Sequence, residues 1–173
     1  MEEIRLTPTS YIVLGLLADA EGVTPYDLKA MVAWGIGNLW SLQHTQLYAE
    51  PERLAKAGYL TETREDGGRR RKLYNITQAG RDALSAWVSA EPGEELPEVR
   101  DIGLLKVFFG ADPRLFAAKQ ADAHRVKLRE YEVLEEELTD SGLTGPLTAL
   151  RAGLGHEREW VRYWSELAGE DRI

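Results

Sequence analysis

A chain of 173 residues with 43% hydrophobic content is long enough to bury a core, as one domain or as two small ones. It holds no cysteine, which excludes disulfides and thiolate metal sites. The net charge of −8 is unevenly divided: residues 1–90 carry 10 Lys+Arg against 11 Asp+Glu, and residues 91–173 carry 11 against 18. That balance argues against a broad, sequence-blind binder of nucleic acid but leaves room for a local basic patch. No stretch approaches the roughly 20 apolar residues of a membrane span. Met1 to Pro8 lacks the basic start and apolar run of a signal peptide, so a cytoplasmic location is expected.

In chain order, Thr7-Pro8 offers a helix N-cap with proline at the first helical position. The helix that follows carries Tyr11, Ile12, Leu14, Leu16 and Leu17 and is apolar on most sides, as a core helix should be. Thr24-Pro25-Tyr26-Asp27 repeats the start signal, with Asp27 placed to close a capping box. It opens a short second helix to about Val32, with Tyr26, Leu28 and Met31 as core candidates. Trp34 to Trp40 reads as a loop whose two tryptophans wedge the second helix against the third.

Ser41 is the expected cap of the third helix, which ends at Gly58, a residue suited to the left-handed position past a helix end. Leu42, Leu47 and Leu54 should face the core, leaving Gln43, His44 and Gln46 exposed near the N-terminal end. Recognition helices present base-reading residues there, and glutamine pairs in bidentate fashion with adenine. Pro51 predicts a kink, or two short helical pieces, because an interior proline removes one helix hydrogen bond. Two strand-like runs then flank Glu65-Asp66-Gly67-Gly68, which reads as a β-hairpin. Its returning strand begins with four cations, Arg69, Arg70, Arg71 and Lys72. By alternation Arg70 and Lys72 share the face of Tyr74 and Ile76, and Arg69 and Arg71 the other. A helix followed by a basic two-stranded ribbon is the layout of a winged helix-turn-helix.

Thr77 caps a fourth helix running through Trp87 and Val88, and the Ser89 to Pro97 stretch has the composition of a linker. The expected domains are therefore 1–90 and 91–173. In the second, Asp101 to Phe109 predicts a short apolar helix stopped by Gly110, and Asp112-Pro113 starts a long helix to about Leu138. Ala117, Ala121, His124, Leu128, Tyr131 and Leu138 keep the spacing of a packing seam. Gly142 and Gly145-Pro146 precede a last helix carrying Leu147, Leu150, Leu154, Val161, Trp164 and Leu167. The fold class expected is mainly α: an N-terminal winged helix-turn-helix with a two-stranded wing, plus a C-terminal antiparallel helical dimerisation domain.

The series Gln46-Leu47-Tyr48, Leu54, Gly58-Tyr59-Leu60, Gly68-Arg69, Tyr74 to Thr77 and Gly80 resembles the PadR family of bacterial transcriptional regulators. Val99 to Gly110 resembles the start of the helical C-terminal domain of its longer members, and Trp160 to Leu167 resembles that domain's last helix. The resemblance implies double-stranded DNA as partner, a homodimer, and a tyrosine at position 48 that donates to a phosphate, while the residue by itself is equally compatible with packing in the core. It also implies a small aromatic or drug-like effector, for which Trp87, Trp160 and Trp164 are the candidate lining residues. The family usually has an aliphatic residue where this chain has Pro51.

The bland readings stand beside these. A charge run is usually a solvated face, polar residues on a helix are usually plain surface, and tryptophans are usually core. His44, His124 and His156 form no cluster at metal spacing, and no phosphate loop, nucleophile elbow or cysteine nucleophile is present. No cofactor and no enzymatic activity are expected. The function expected is a homodimeric, sequence-specific regulator, a repressor before an activator, on an inverted-repeat operator. The alternative is a winged-helix protein-interaction module without sequence-specific DNA binding.

Overall fold

Two threonine–proline steps start the first two helices of the computed structural model, which describes residues 4–38, 40–64, 70–93 and 99–170. The chain divides into two compact units, residues 1–93 and 94–173.

In the first unit, α1 (Pro8–Leu16) is capped by Thr7, whose hydroxyl accepts from the Ser10 amide while the Ser10 hydroxyl accepts from the Thr7 amide. A capping box normally closes with glutamate, and here serine takes that place. In α2 (Pro25–Trp34) Thr24 and Asp27 close the same box in its usual acidic form. Hydrogen bonds from the Thr24 hydroxyl and amide hold the Asp27 carboxyl below the usual range. After a 3-10 turn (Ile36–Asn38) comes α3 (Gln46–Lys56). It ends in a Schellman motif: Gly58 takes φ +85°, the Tyr59 amide bonds the Leu54 carbonyl and the Gly58 amide that of Ala55.

Strands β1 (Leu60–Arg64) and β2 (Lys72–Ile76) pair antiparallel from Leu60↔Ile76 to Arg64↔Lys72. Val23 adds a one-residue bridge, exchanging both backbone hydrogen bonds with Tyr74. Helix α4 (Gln78–Ser89) starts at Thr77, whose hydroxyl also donates to the Gly58 carbonyl, so its first turn is docked on the α3–β1 junction. Val13, Leu14, Leu17, Leu28, Leu54, Leu60 and Tyr74 form the shared core. Three helices and a hairpin in this order make a winged helix-turn-helix.

The second unit holds α5 (Ile102–Phe108), capped by Asp101, a 3-10 turn (Pro113–Leu115), α6 (Ala117–Ser141) and α7 (Thr144–Ala168). Gly142, at φ +71°, reverses the chain so that α6 and α7 run antiparallel. Tyr131, Leu138, Leu150 and Leu154 pack at one end of the pair, and Ala117, Ala121 and Trp164 at the other. His124 and Glu157, both largely buried, meet between them at 2.6 Å.

Several expectations need correction. Helix α3 begins five residues after Ser41, at Gln46, because 3-10-type bonds from Gln46, Leu47 and Tyr48 to the carbonyls of Gln43, His44 and Thr45 satisfy its first amides. Pro51 does not divide α3. It is buried within one continuous helix, where its ring adds to the apolar face of Leu47 and Leu54. Tyr26 is 73% exposed rather than core, since it occupies the outward side of the first turn of α2 while Leu28 points in. Trp34 and Trp40 are about half exposed, and Trp34 is the last residue of α2 rather than part of the loop. Asp112-Pro113 starts the 3-10 turn, not α6: Asp112 spends its carboxylate on the Arg114 amide, and Phe116 breaks helical geometry before Ala117.

Candidate nucleic-acid interface

The exposed end of α3 begins in the turn that precedes it. Gln43 and His44 are exposed but lie in this turn, before the helix. Gln46 is the first helical residue, and its side-chain oxygen accepts from the Gln43 amide at 3.0 Å. One end of the Gln46 amide is thus occupied by the backbone, and its Nε2 side is left to donate. Tyr48 is half exposed. The Thr45 side chain makes no cap bond, so the turn itself terminates the helix.

Beside α3 the wing presents its cations unequally. Arg69 lies outside the described residues. Arg70 is exposed just before β2, at φ +47°, a backbone conformation that a non-glycine residue seldom takes. Arg71 is also exposed, and its charge helps to hold the Asp27 carboxyl low. Lys72 is different. Its Nζ lies 3.2 Å from Glu62 on β1 and 3.3 Å from Glu52 on α3, and its side chain is two-thirds covered. Hydrogen bonds to Glu62, then to Glu52, raise its pKa above the usual lysine value. Glu62 also accepts from the Tyr74 hydroxyl at 3.1 Å. Lys72 therefore ties the wing to α3, and two carboxylates already neutralise it. Strand alternation had put Lys72 on the inner face; it did not show which acids wait there.

A second polar network joins α3 to α1. Glu50 accepts from the Ser10 hydroxyl at 2.6 Å, and from Arg53 Nη2 at 2.6 Å and Nε at 2.9 Å. Arg53 also donates to the Ser10 oxygen (3.0 Å) and to the Arg5 carbonyl (3.3 Å). Ser10 is completely buried and the Glu50 side chain only 12% exposed. Burial pushes the Glu50 carboxyl up, but the hydrogen bonds from Arg53 and Ser10, with the Arg53 charge, outweigh it and leave the group below its ordinary value. No local pattern signals this network, since Ser10 and Glu50 are 40 residues apart.

Of the three candidate tryptophans, Trp87 stands in the first unit, whereas Trp160 and Trp164 stack on each other in the second, with centroids 6.5 Å apart. Trp87, half exposed in the first unit, stacks on Tyr11 with centroids 4.5 Å apart and planes 6° from parallel. Trp160, half-buried in the second unit, has the rings of His156 (5.5 Å), Tyr163 (5.6 Å) and His124 (6.1 Å) around it. Trp164 is fully buried, and its Nε1 is left without a hydrogen-bond partner. A cleft in the second unit is lined by Ile102, Phe116, Lys106, Lys119 and Gln120 and by none of these tryptophans. Among the described residues no group of acidic, histidine or cysteine side chains is placed to hold a metal. No described helix is long and apolar enough to cross a membrane.

Comparison with known proteins bears on this geometry. Residues 13–86 match the family described as "Transcriptional regulator PadR-like family". The negative transcriptional regulator PadR of Bacillus subtilis is 31% identical over 102 residues, which take in 57% of this chain and only 54% of that protein. The crystal structure of Bacillus subtilis PadR in complex with operator DNA superimposes with a TM-score of 0.81 at 24% identity, over 98% of this chain and 100% of that one. The structure of the same regulator in complex with p-coumaric acid gives 0.74 at 26% identity, over 94% and 98%.

Proposed function

We propose that the protein, whose residues 13–86 match a PadR-like family of transcriptional regulators, binds an inverted-repeat operator as a homodimer, and acts as a repressor before an activator. The observation that carries this reading is the exposed end of α3. Gln43, His44, Gln46 and Tyr48 stand clear of the core beside a wing whose Arg70 and Arg71 are exposed. In the proposed complex that end enters the major groove, where glutamine donors meet base edges and Tyr48 donates to a phosphate. Arg69, Arg70 and Arg71 lie along the flanking backbone, while Lys72 holds the wing in place.

The first unit is the proposed DNA-binding domain and the second the dimerisation domain. Ile102 and Leu105 on α5 and Phe109 just past its end recur three and four residues apart, and with Phe108 they leave an uncovered apolar surface. A second copy covering it would set two α3 helices for half-sites roughly one helical turn, or a multiple, apart. A small aromatic ligand is the proposed signal for release, with the half-buried ring group around Trp160 as its stacking surface. A coupling of about 3 kcal/mol between ligand and DNA would change DNA affinity by about 100-fold.

The test is fluorescence anisotropy against the DNA upstream of the protein's own reading frame, at two salt concentrations, with an unrelated duplex as control. Tight, selective binding that weakens steeply with salt is expected. The triple variant Arg69→Ala, Arg70→Ala, Arg71→Ala should lose DNA while remaining dimeric. Unchanged affinity in that variant would remove the wing from the interface. Absence of selective binding to any duplex selected from a random pool would turn the reading toward a protein-interaction module.

A further inference from the structure

Helix α3 lacks one backbone rung near the end proposed to meet DNA. Thr45 makes no side-chain cap, and Pro51 has no N–H for the Leu47 carbonyl one turn earlier. The turn from Gln46 to Glu50 is therefore joined to the rest of α3 by one rung fewer than an ordinary helix would have.

Glu50 closes that turn, and its carboxylate is turned away from the exposed side, toward Ser10 of α1 and Arg53 one turn on in α3 itself. Ser10 is itself immobilised. It is wholly buried, its hydroxyl accepts from the Thr7 amide at 2.8 Å, and it completes the α1 capping box. All three polar bonds to Glu50 are short and directional. An apolar side chain at this position would pack against α1 over a range of angles, whereas a carboxylate held by a fixed hydroxyl and a guanidinium fork permits few.

Resting on the DNA-reading assignment above, we infer that Glu50 is a positioning residue for sequence recognition: by locking α3 to Ser10 it sets the pose at which Gln43, His44 and Gln46 meet the bases. Glu50 does not itself touch DNA. Its removal leaves the wing cations and Tyr48 in place, so phosphate contacts survive while base discrimination falls. A merely structural role would weaken fold and all binding in parallel.

The experiment first selects a preferred duplex from a random pool with the wild-type protein. It then compares affinity for that duplex and for an unrelated one, across a salt series, in wild type, Glu50→Gln and Ser10→Ala. Leu84→Ala, on α4 and packed against the core away from this network, serves as a destabilised control, and thermal unfolding is followed for all four. Glu50→Gln and Ser10→Ala should each lower the ratio of selected to unrelated affinity by roughly tenfold, the scale of one lost base contact. Their affinity for the unrelated duplex and its salt slope should stay at the wild-type level. Leu84→Ala should melt earlier with its ratio intact. A wild-type ratio in Glu50→Gln, or an equal loss of ratio in Leu84→Ala, would overturn the inference. Should the pool fail to enrich with wild type, the DNA-reading assignment itself falls, and the inference with it, before any variant is compared.

Discussion

Glu50 also makes the fold sensitive to acid in a direction that can be worked out. Its folded carboxyl lies below the ordinary value of 4.5. The stabilisation this represents is complete above the unfolded pKa and is lost as pH falls through the folded one. The melting temperature of wild type should therefore exceed that of Glu50→Gln by most near neutral pH, and the gap should close on acidification below about pH 4.5. A gap that stays constant from pH 7 to pH 3 would mean that the ion pair with Arg53 contributes nothing. The wing cations can be separated in the same way. Arg70→Ala should reduce the slope of log affinity against log salt by about 1, as one lost phosphate contact does. Lys72→Ala should leave that slope unchanged, because Glu52 and Glu62 already neutralise its ammonium group. Strand alternation separates the four cations by face but does not single out Lys72, since the acids that hold it lie 20 and 10 residues away along the chain. Local pattern ranks faces; it does not name partners.

Elements were legible where their signals are local. Thr7-Pro8, Thr24 with Asp27, Thr77, Asp101 and the left-handed Gly58 mark helix ends through atoms a few residues apart, and each does so in the structure. The start of α3 was not legible. Ser41 is an acceptable cap by residue type, but the backbone carbonyls of Gln43, His44 and Thr45 take the first amides of the helix instead. Pro51 misled for a related reason: loss of one rung is a local cost, while its burial beside Leu47 and Leu54 is a tertiary gain. Close approach between elements is likewise invisible until they are packed. A Cβ on Gly80 would collide with the Tyr59 carbonyl oxygen and stand 2.8 Å from Ile76, where α4 meets the hairpin. Gly80→Ala should destabilise the first unit by roughly 1–3 kcal/mol, the cost of overpacking. Gly155, in the body of α7, has nothing within 4 Å of such a Cβ. Gly155→Ala should stabilise the second unit by up to about 1 kcal/mol through helix propensity. Calorimetry on the two variants measures both signs, and a destabilised Gly155→Ala would mean that another chain approaches that face.

At the scale of the whole molecule, charge and apolar surface have different reaches. A net charge of −8 looks wrong for a DNA-binding protein, but residues 91–173 carry most of it, and the wing keeps its local excess of cations. The apolar surface of α5 bears on assembly. Ile102 is 68% exposed, Leu105 52%, Phe108 82% and Phe109 78%, and the last two rings meet edge to face at 5.2 Å. Single exposed apolar side chains are common, whereas a contiguous set along one short helix marks an interface. Two-fold pairing uses the same patch on both copies, so one charge placed in it appears twice. Leu105→Glu should therefore convert the proposed dimer to a monomer on light-scattering chromatography with the helical content of both units retained. Operator affinity should fall with it, since each monomer then engages one half-site alone, while the affinity of a single half-site stays at its wild-type level. A Leu105→Glu protein that remains dimeric would place the interface on another face of the second unit. A monomer that keeps full operator affinity would instead separate assembly from DNA reading.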